Sequence, residues 1–257
     1  MTRSQERLLA LWRAEPIRES KLRGYVRLAK LDDFNSYLSP LVVFTAILAT
    51  TTQFSVRVFP MLLCFLAGGI CVLASTEMRR FGWGAALVGA LLWIVAVLIG
   101  PVGPVWTILL IAVTFAAAWL SRYDLRELFL ATLGCVLVLA PYGLATGGLH
   151  PFVVVQALLF GLGPLLAGLY ATASPNARLV AALSVTEFAI GAIGSLTGAA
   201  PWWFVVAMAP ATASRAMQYH RGFRVGDLVT AHRMGSRAHR LSVLLMVLSN
   251  LLVLALA

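Results

Sequence analysis

Apolar runs of close to twenty residues, separated by short polar or turn-forming breaks, recur along the chain from residue 34 to its end. Nine are read: 34–53, 56–75, 81–100, 102–120, 127–147, 151–173, 177–198, 201–217 and 240–257. Each approaches the ~20 residues that a helix needs to cross ~30 Å of hydrocarbon. The breaks hold Pro60, Gly100-Pro101, Gly103-Pro104, Gly147-Gly148 with Pro151, and Ala200-Pro201, residue types that start or stop helices. No run sustains the period-two alternation of barrel strands. The pattern predicts an all-α, polytopic membrane bundle of nine transmembrane helices. Small residues such as Gly82, Gly84, Gly161 and Gly163 would let neighbouring helices approach closely.

The positive charges divide along this map. Eight lie before the first run: Arg3, Arg7, Arg13, Arg18, Lys21, Arg23, Arg27 and Lys30. The even-numbered connections hold Arg79 and Arg80, Arg122 and Arg126, Arg178, and then Arg215, Arg221, Arg224, Arg233, Arg237 and Arg240. The odd-numbered connections hold only Arg57, so 19 of the 20 basic residues fall on one face. Basic residues concentrate on the cytoplasmic side of membrane proteins. The expected topology has the N-terminus cytoplasmic and the C-terminus outside, in a membrane such as the bacterial cytoplasmic membrane.

Composition agrees with this assignment: 60% of residues are hydrophobic and 12% charged, about half the charge of a soluble domain. A net charge of +10 does not point to nucleic acid, because the charges stand between apolar runs. Residues 1–30 are a separate basic segment in which Leu8, Leu9, Leu11 and Trp12 mix with Arg7 and Arg13. It reads either as an amphipathic helix at the headgroup boundary or as a cytoplasmic tail; residues 31–257 form the membrane domain. Cys64, Cys71 and Cys135 all fall inside apolar runs, as buried free thiols do.

Several local phrases resemble the UbiA superfamily of intramembrane prenyltransferases. Tyr25-Val-Arg-Leu-Ala-Lys-Leu, followed by Asn35, is similar to that family's approach to its first helix. Leu125-Arg-Glu-Leu-Phe-Leu-Ala-Thr-Leu-Gly, with Gly143-Leu-Ala-Thr-Gly, is similar to its fifth span. Thr230-Ala-His-Arg-Met-Gly-Ser-Arg-Ala-His-Arg-Leu resembles the basic turn before its last helix. The resemblance covers roughly residues 22–257. It implies transfer of a prenyl group from a polyprenyl diphosphate donor to a small hydrophobic, usually aromatic, acceptor. It also implies Mg²⁺ held by two aspartate motifs after the second and sixth spans, since divalent cations neutralise the departing diphosphate. By resemblance Asn35 faces the cavity.

The chain departs from that pattern. Its second connection offers one carboxylate, Glu77, and its sixth, Thr172-Ala-Ser-Pro-Asn-Ala-Arg, offers none. Either the bundle has lost the metal sites, or loop segments are missing at Ser75-Thr76, Ser121-Arg122 and Pro175-Asn176. Arg79, Arg80, Arg122, Tyr123 and Arg126 are the candidate diphosphate ligands, with plain positive-inside anchoring as the alternative. Glu187, within the seventh run, is the candidate catalytic residue, because a carboxylate at membrane depth is costly unless partnered. It could orient or deprotonate an acceptor, relay protons in a transporter, or simply be protonated and hydrogen-bonded to Ser184, Thr186 or a neighbouring helix. Asp32 and Asp33 read as helix caps. His220, His232 and His239 read as solvated members of the eighth connection, and Trp106, Trp202 and Trp203 as interfacial residues. A degenerate bundle that binds an isoprenoid or a partner enzyme is the second functional reading, and proton-coupled transport through Glu187 the third.

Overall fold

The computed structural model describes residues 35–51, 55–77, 82–100, 105–120, 126–170 and 175–257. Every regular element among them is helical. After a 3₁₀ turn at Asn35–Leu38 come α1 (Ser39–Thr50), α2 (Val58–Glu77), α3 (Gly82–Ile99), α4 (Val105–Leu120), α5 (Arg126–Thr146), α6 (Pro151–Leu169) and α7 (Ala177–Leu196). A single turn at Phe204–Ala207 leads into α8 (Ala209–Tyr219), and α9 (Leu228–Leu256) ends the chain. Six of these, α2, α3, α5, α6, α7 and α9, are long and apolar enough to span a membrane, and α1 and α4 are shorter apolar helices.

Two of the expected segments have different bounds. The run 201–217 is split by Pro210 in the first turn of α8, which leaves an 11-residue helix after the short turn. The last helix starts at Leu228, twelve residues before the apolar run at 240–257. Asp227 starts it by accepting a hydrogen bond from the Thr230 amide at 3.0 Å, a side-chain cap on an otherwise unpaired donor. Ala231, Gly235, Ala238 and His239 then form a buried face that hydropathy does not reveal. The preceding turn is of π type over His220–Arg224. It closes through the Val225 amide on the His220 carbonyl and the Asp227 amide on Arg221, with Gly226 at φ +78°, a left-handed conformation natural to glycine.

Four helices make the centre: α1 packs on α5 and α9, and α6 packs on the same two. Helices α2 and α4 lie against α5, α3 packs on α2, and α2 also touches α1; α7 packs on α6 and α8, and α8 on α9. Val42, Ile47, Phe129, Leu133, Phe160 and Val243 share the central cluster. It is crossed by a polar knot. Gln156 of α6 donates to the Asn250 Oδ1 of α9 at 2.7 Å, and Asn250 donates to the Thr45 hydroxyl of α1 at 3.1 Å. In lipid such bonds tie helices together, because the alternative is an unpaired amide in hydrocarbon.

Glycine sets the closest approaches. A Cβ on Gly134 of α5 would stand 2.9 Å from the Gly161 Cα of α6, so the two backbones are in contact there. The outer faces are apolar: Leu87, Leu91, Ile94 and Leu98 form an exposed stripe on α3, as expected where the solvent is lipid. The cysteines are free thiols. Trp202 is exposed and Trp203 half-buried at the start of the turn before α8.

Candidate functional site

Residue contacts give the bundle a basic end and an opposite end. Helices α5 and α6 run antiparallel through the Gly134–Gly161 contact, so Arg126 at the start of α5 lies at the same end as Leu169. Tyr170 after α6, Val180 of α7, Phe223 of the π turn and Ala231 of α9 cluster there. Arg178, Arg221, Arg224 and Arg233 are all exposed and belong to this end. At the other end Thr50 of α1 meets the Tyr142 hydroxyl of α5 at 2.8 Å.

Glu187 lies in the middle of α7, a helix capped by the Asn176 side chain, which accepts from the amides of Arg178 and Leu179. Its carboxylate is buried and points at α8. There Arg215 donates from Nε to Oε2 at 2.9 Å and from Nη2 to Oε1 at 3.4 Å. The remaining guanidinium nitrogen, Nη1, donates to the Gln218 Oε1 at 3.1 Å and to the Gly235 carbonyl of α9 at 3.3 Å. The Arg215 side chain is only 3% exposed. One guanidinium thus joins α7, α8 and α9, in the two-pronged geometry that suits arginine and carboxylate. Beside Glu187 is a small recess of about 10 Å³, room for about one water, lined by Phe188, Gly191, Met208 and Thr212 among others.

The expected solvation of the eighth connection's histidines holds for His220, which is exposed, but not for His232 and His239. Arg215, grouped there by charge alone, is the buried partner of Glu187. His239 is fully buried in α9, its ring edge-on to Phe160 at a centroid distance of 5.0 Å and seated over Gly163. Among the described residues both of its ring nitrogens lack a hydrogen-bond partner, as does the Nε2 of Gln218 in α8, which lies against Gly235 one turn before His239. His232 is half-buried and bonds through Nδ1 to the Ala167 carbonyl at 3.0 Å. Solvation fails for the two histidines because they lie on the inner side of α9, a helix that begins earlier than the apolar run.

The other expected site residues are partly outside the described set. Arg79, Arg80, Arg122 and Tyr123 lie outside the described residues, as do Asp32, Asp33 and the basic segment 1–30. Asn35 opens the 3₁₀ turn that packs near α9, and Arg126 opens α5; their side chains are not among those described. Ser184 and Thr186, the local partners considered for Glu187, instead donate to the Val180 and Ala182 carbonyls of their own helix. Among the described residues no group of three or more His, Cys, Asp or Glu comes together.

Sequence reasoning missed Arg215, Gln156 and Asn250. Each is a lone strongly polar residue inside or at the edge of an apolar run, and that isolation was the available signal. No protein-family model matches the chain, and comparison with curated proteins and with solved structures finds no match.

Proposed function

We propose that the chain is a UbiA-type bundle of nine membrane helices, with its basic end in the cytoplasm, that binds a polyprenyl diphosphate without turning it over. The isoprenoid comes from the resemblance in the first, fifth and last helices. The observation that carries the non-catalytic reading is the Glu187–Arg215 pair. The one carboxylate found at mid-helix depth among the described residues is held by two hydrogen bonds from a buried guanidinium. It serves as the counter-ion of Arg215, with one acceptor site on each oxygen taken by the guanidinium.

The donor set points the same way. Magnesium takes hard oxygen ligands, and a diphosphate site of two metal ions needs several carboxylates. The second connection supplies Glu77 alone and the sixth supplies none, so the residues present do not fit the two-metal centre that the resemblance implies. Arg79, Arg80, Arg122, Tyr123 and Arg126 are left to hold the diphosphate by charge and hydrogen bonds.

Binding of a radiolabelled farnesyl or longer prenyl diphosphate to the full chain in nanodiscs, with Mg²⁺ or with EDTA, tests this. Retention that is equal in both, with no product formed from added aromatic acceptors, is expected. Transfer that depends on Mg²⁺ would instead establish the second reading, a prenyltransferase. That reading is favoured by the order in which the family-like phrases occur along the chain.

A further inference from the structure

The 29-residue helix α9 has one outward face with two chemistries. Arg233, Arg237 and Arg240 are exposed and separated by four and three residues, so they lie in one row. The same row continues with Leu244, Leu248 and Leu251, which are 53%, 50% and 42% exposed. The opposite face is the one buried against α1, α6 and α8.

Depth follows from α6. Its 19 residues rise about 28 Å, close to the ~30 Å hydrocarbon thickness. Gly235 of α9 rests on Ala167, two residues from the basic end of α6, and Asn250 meets Gln156 near the other end. Arg233 is therefore level with the basic boundary, and Arg240 lies about 7 Å deeper than Gly235. Arg233 and Arg237, which face outward near that boundary, extend their guanidinium groups toward it, where an anion offsets their cost.

We propose that this face of α9 is a binding track for an anionic glycerophospholipid of the leaflet at the basic end. Its phosphate is held by Arg233, Arg237 and Arg240, and an acyl chain lies along Leu244, Leu248 and Leu251. Charge and apolar surface occur in the order of a lipid head and tail, on one continuous stripe. A soluble anion would have no use for the leucines. The track is independent of the isoprenoid proposal.

Native mass spectrometry of the full chain, released from bilayers of equal phosphatidylglycerol and phosphatidylcholine, tests it. At least a three-fold enrichment of retained phosphatidylglycerol is expected. The enrichment should vanish in R233Q/R237Q/R240Q and persist in R221Q/R224Q, whose arginines sit on the π turn. If the triple variant does not fold, R237Q alone should still halve the enrichment. Equal retention of the two lipids, or undiminished enrichment in R237Q and in the triple variant, would overturn the proposal. So would displacement of phosphatidylglycerol by an equimolar amount of farnesyl diphosphate, which would make the stripe an isoprenoid site.

Discussion

At the residue scale the chain's chemistry is decided by what sits opposite Glu187. A carboxylate in the middle of an apolar helix announces a partner, and so much can be read from the sequence around it. The partner itself cannot, because Arg215 is 28 positions away in a short helix whose packing direction no local pattern encodes. The pair is expected to behave as a unit. Glu187→Gln or Arg215→Met alone leaves a buried group unpartnered and should destabilise the folded protein by about 3–5 kcal/mol. The double variant Glu187→Gln/Arg215→Met should recover most of that loss, measured as a coupling energy from unfolding in detergent. Additive losses would mean that the two side chains do not share one interaction. His239 gives the opposite expectation. Its ring is buried with neither nitrogen bonded among the described residues, so His239→Leu should be neutral or raise stability by about 1 kcal/mol. A large loss would show that the ring is bonded to water or to a bound molecule.

The helices were the most legible level of organisation. Apolar periodicity and glycine–proline breaks locate α2, α3, α5, α6 and α7 to within a few residues. Legibility ended where polar residues entered a helix. The first thirteen residues of α9 carry Arg233, Arg237 and Arg240 and resemble a loop by hydropathy, although Asp227 caps them and their small residues pack. The Asp227 carboxyl lies below its ordinary range because it accepts the Thr230 amide and side-chain hydrogen bonds. A carboxyl depressed in the folded state contributes stability above its unfolded value of about 3.8 and loses it as pH falls through the folded value. Protection of the first turn of α9 against hydrogen exchange should therefore be flat from pH 8 to pH 5 and decline only below about pH 4. Asp227→Ala, worth about 1 kcal/mol, should remove that acid limb; a limb that persists would assign it to another carboxyl.

Glycine contacts give a second test between elements. Gly161→Ala would drive a methyl into the Ala131 carbonyl and Cys135 of α5, with an expected loss of about 1–3 kcal/mol. Gly84→Ala, on α3 with nothing within 4 Å of the new carbon, should be neutral or stabilise by up to about 1 kcal/mol. Comparable effects at both positions would contradict the close α5–α6 approach. The sequence shows both glycines alike, and only the packing of the hairpin separates them.

For the whole molecule, among the described residues, Arg126, Arg178, Arg221, Arg224 and Arg233 lie toward one end of the bundle, and apolar stripes face outward. The centre of α1, α5, α6 and α9 is filled by side chains and crossed by the Gln156–Asn250–Thr45 bonds. Function is less legible than architecture, because the segments with the candidate diphosphate ligands are short and carry arginine where the resemblance implies aspartate. The account rests on a bundle that holds its isoprenoid by guanidinium groups instead of metal. The most direct test is retention of labelled prenyl diphosphate by the full chain in nanodiscs, with and without EDTA. The account predicts equal retention in the two conditions and weaker retention at high salt. Retention abolished by EDTA and restored by Mg²⁺ would contradict it.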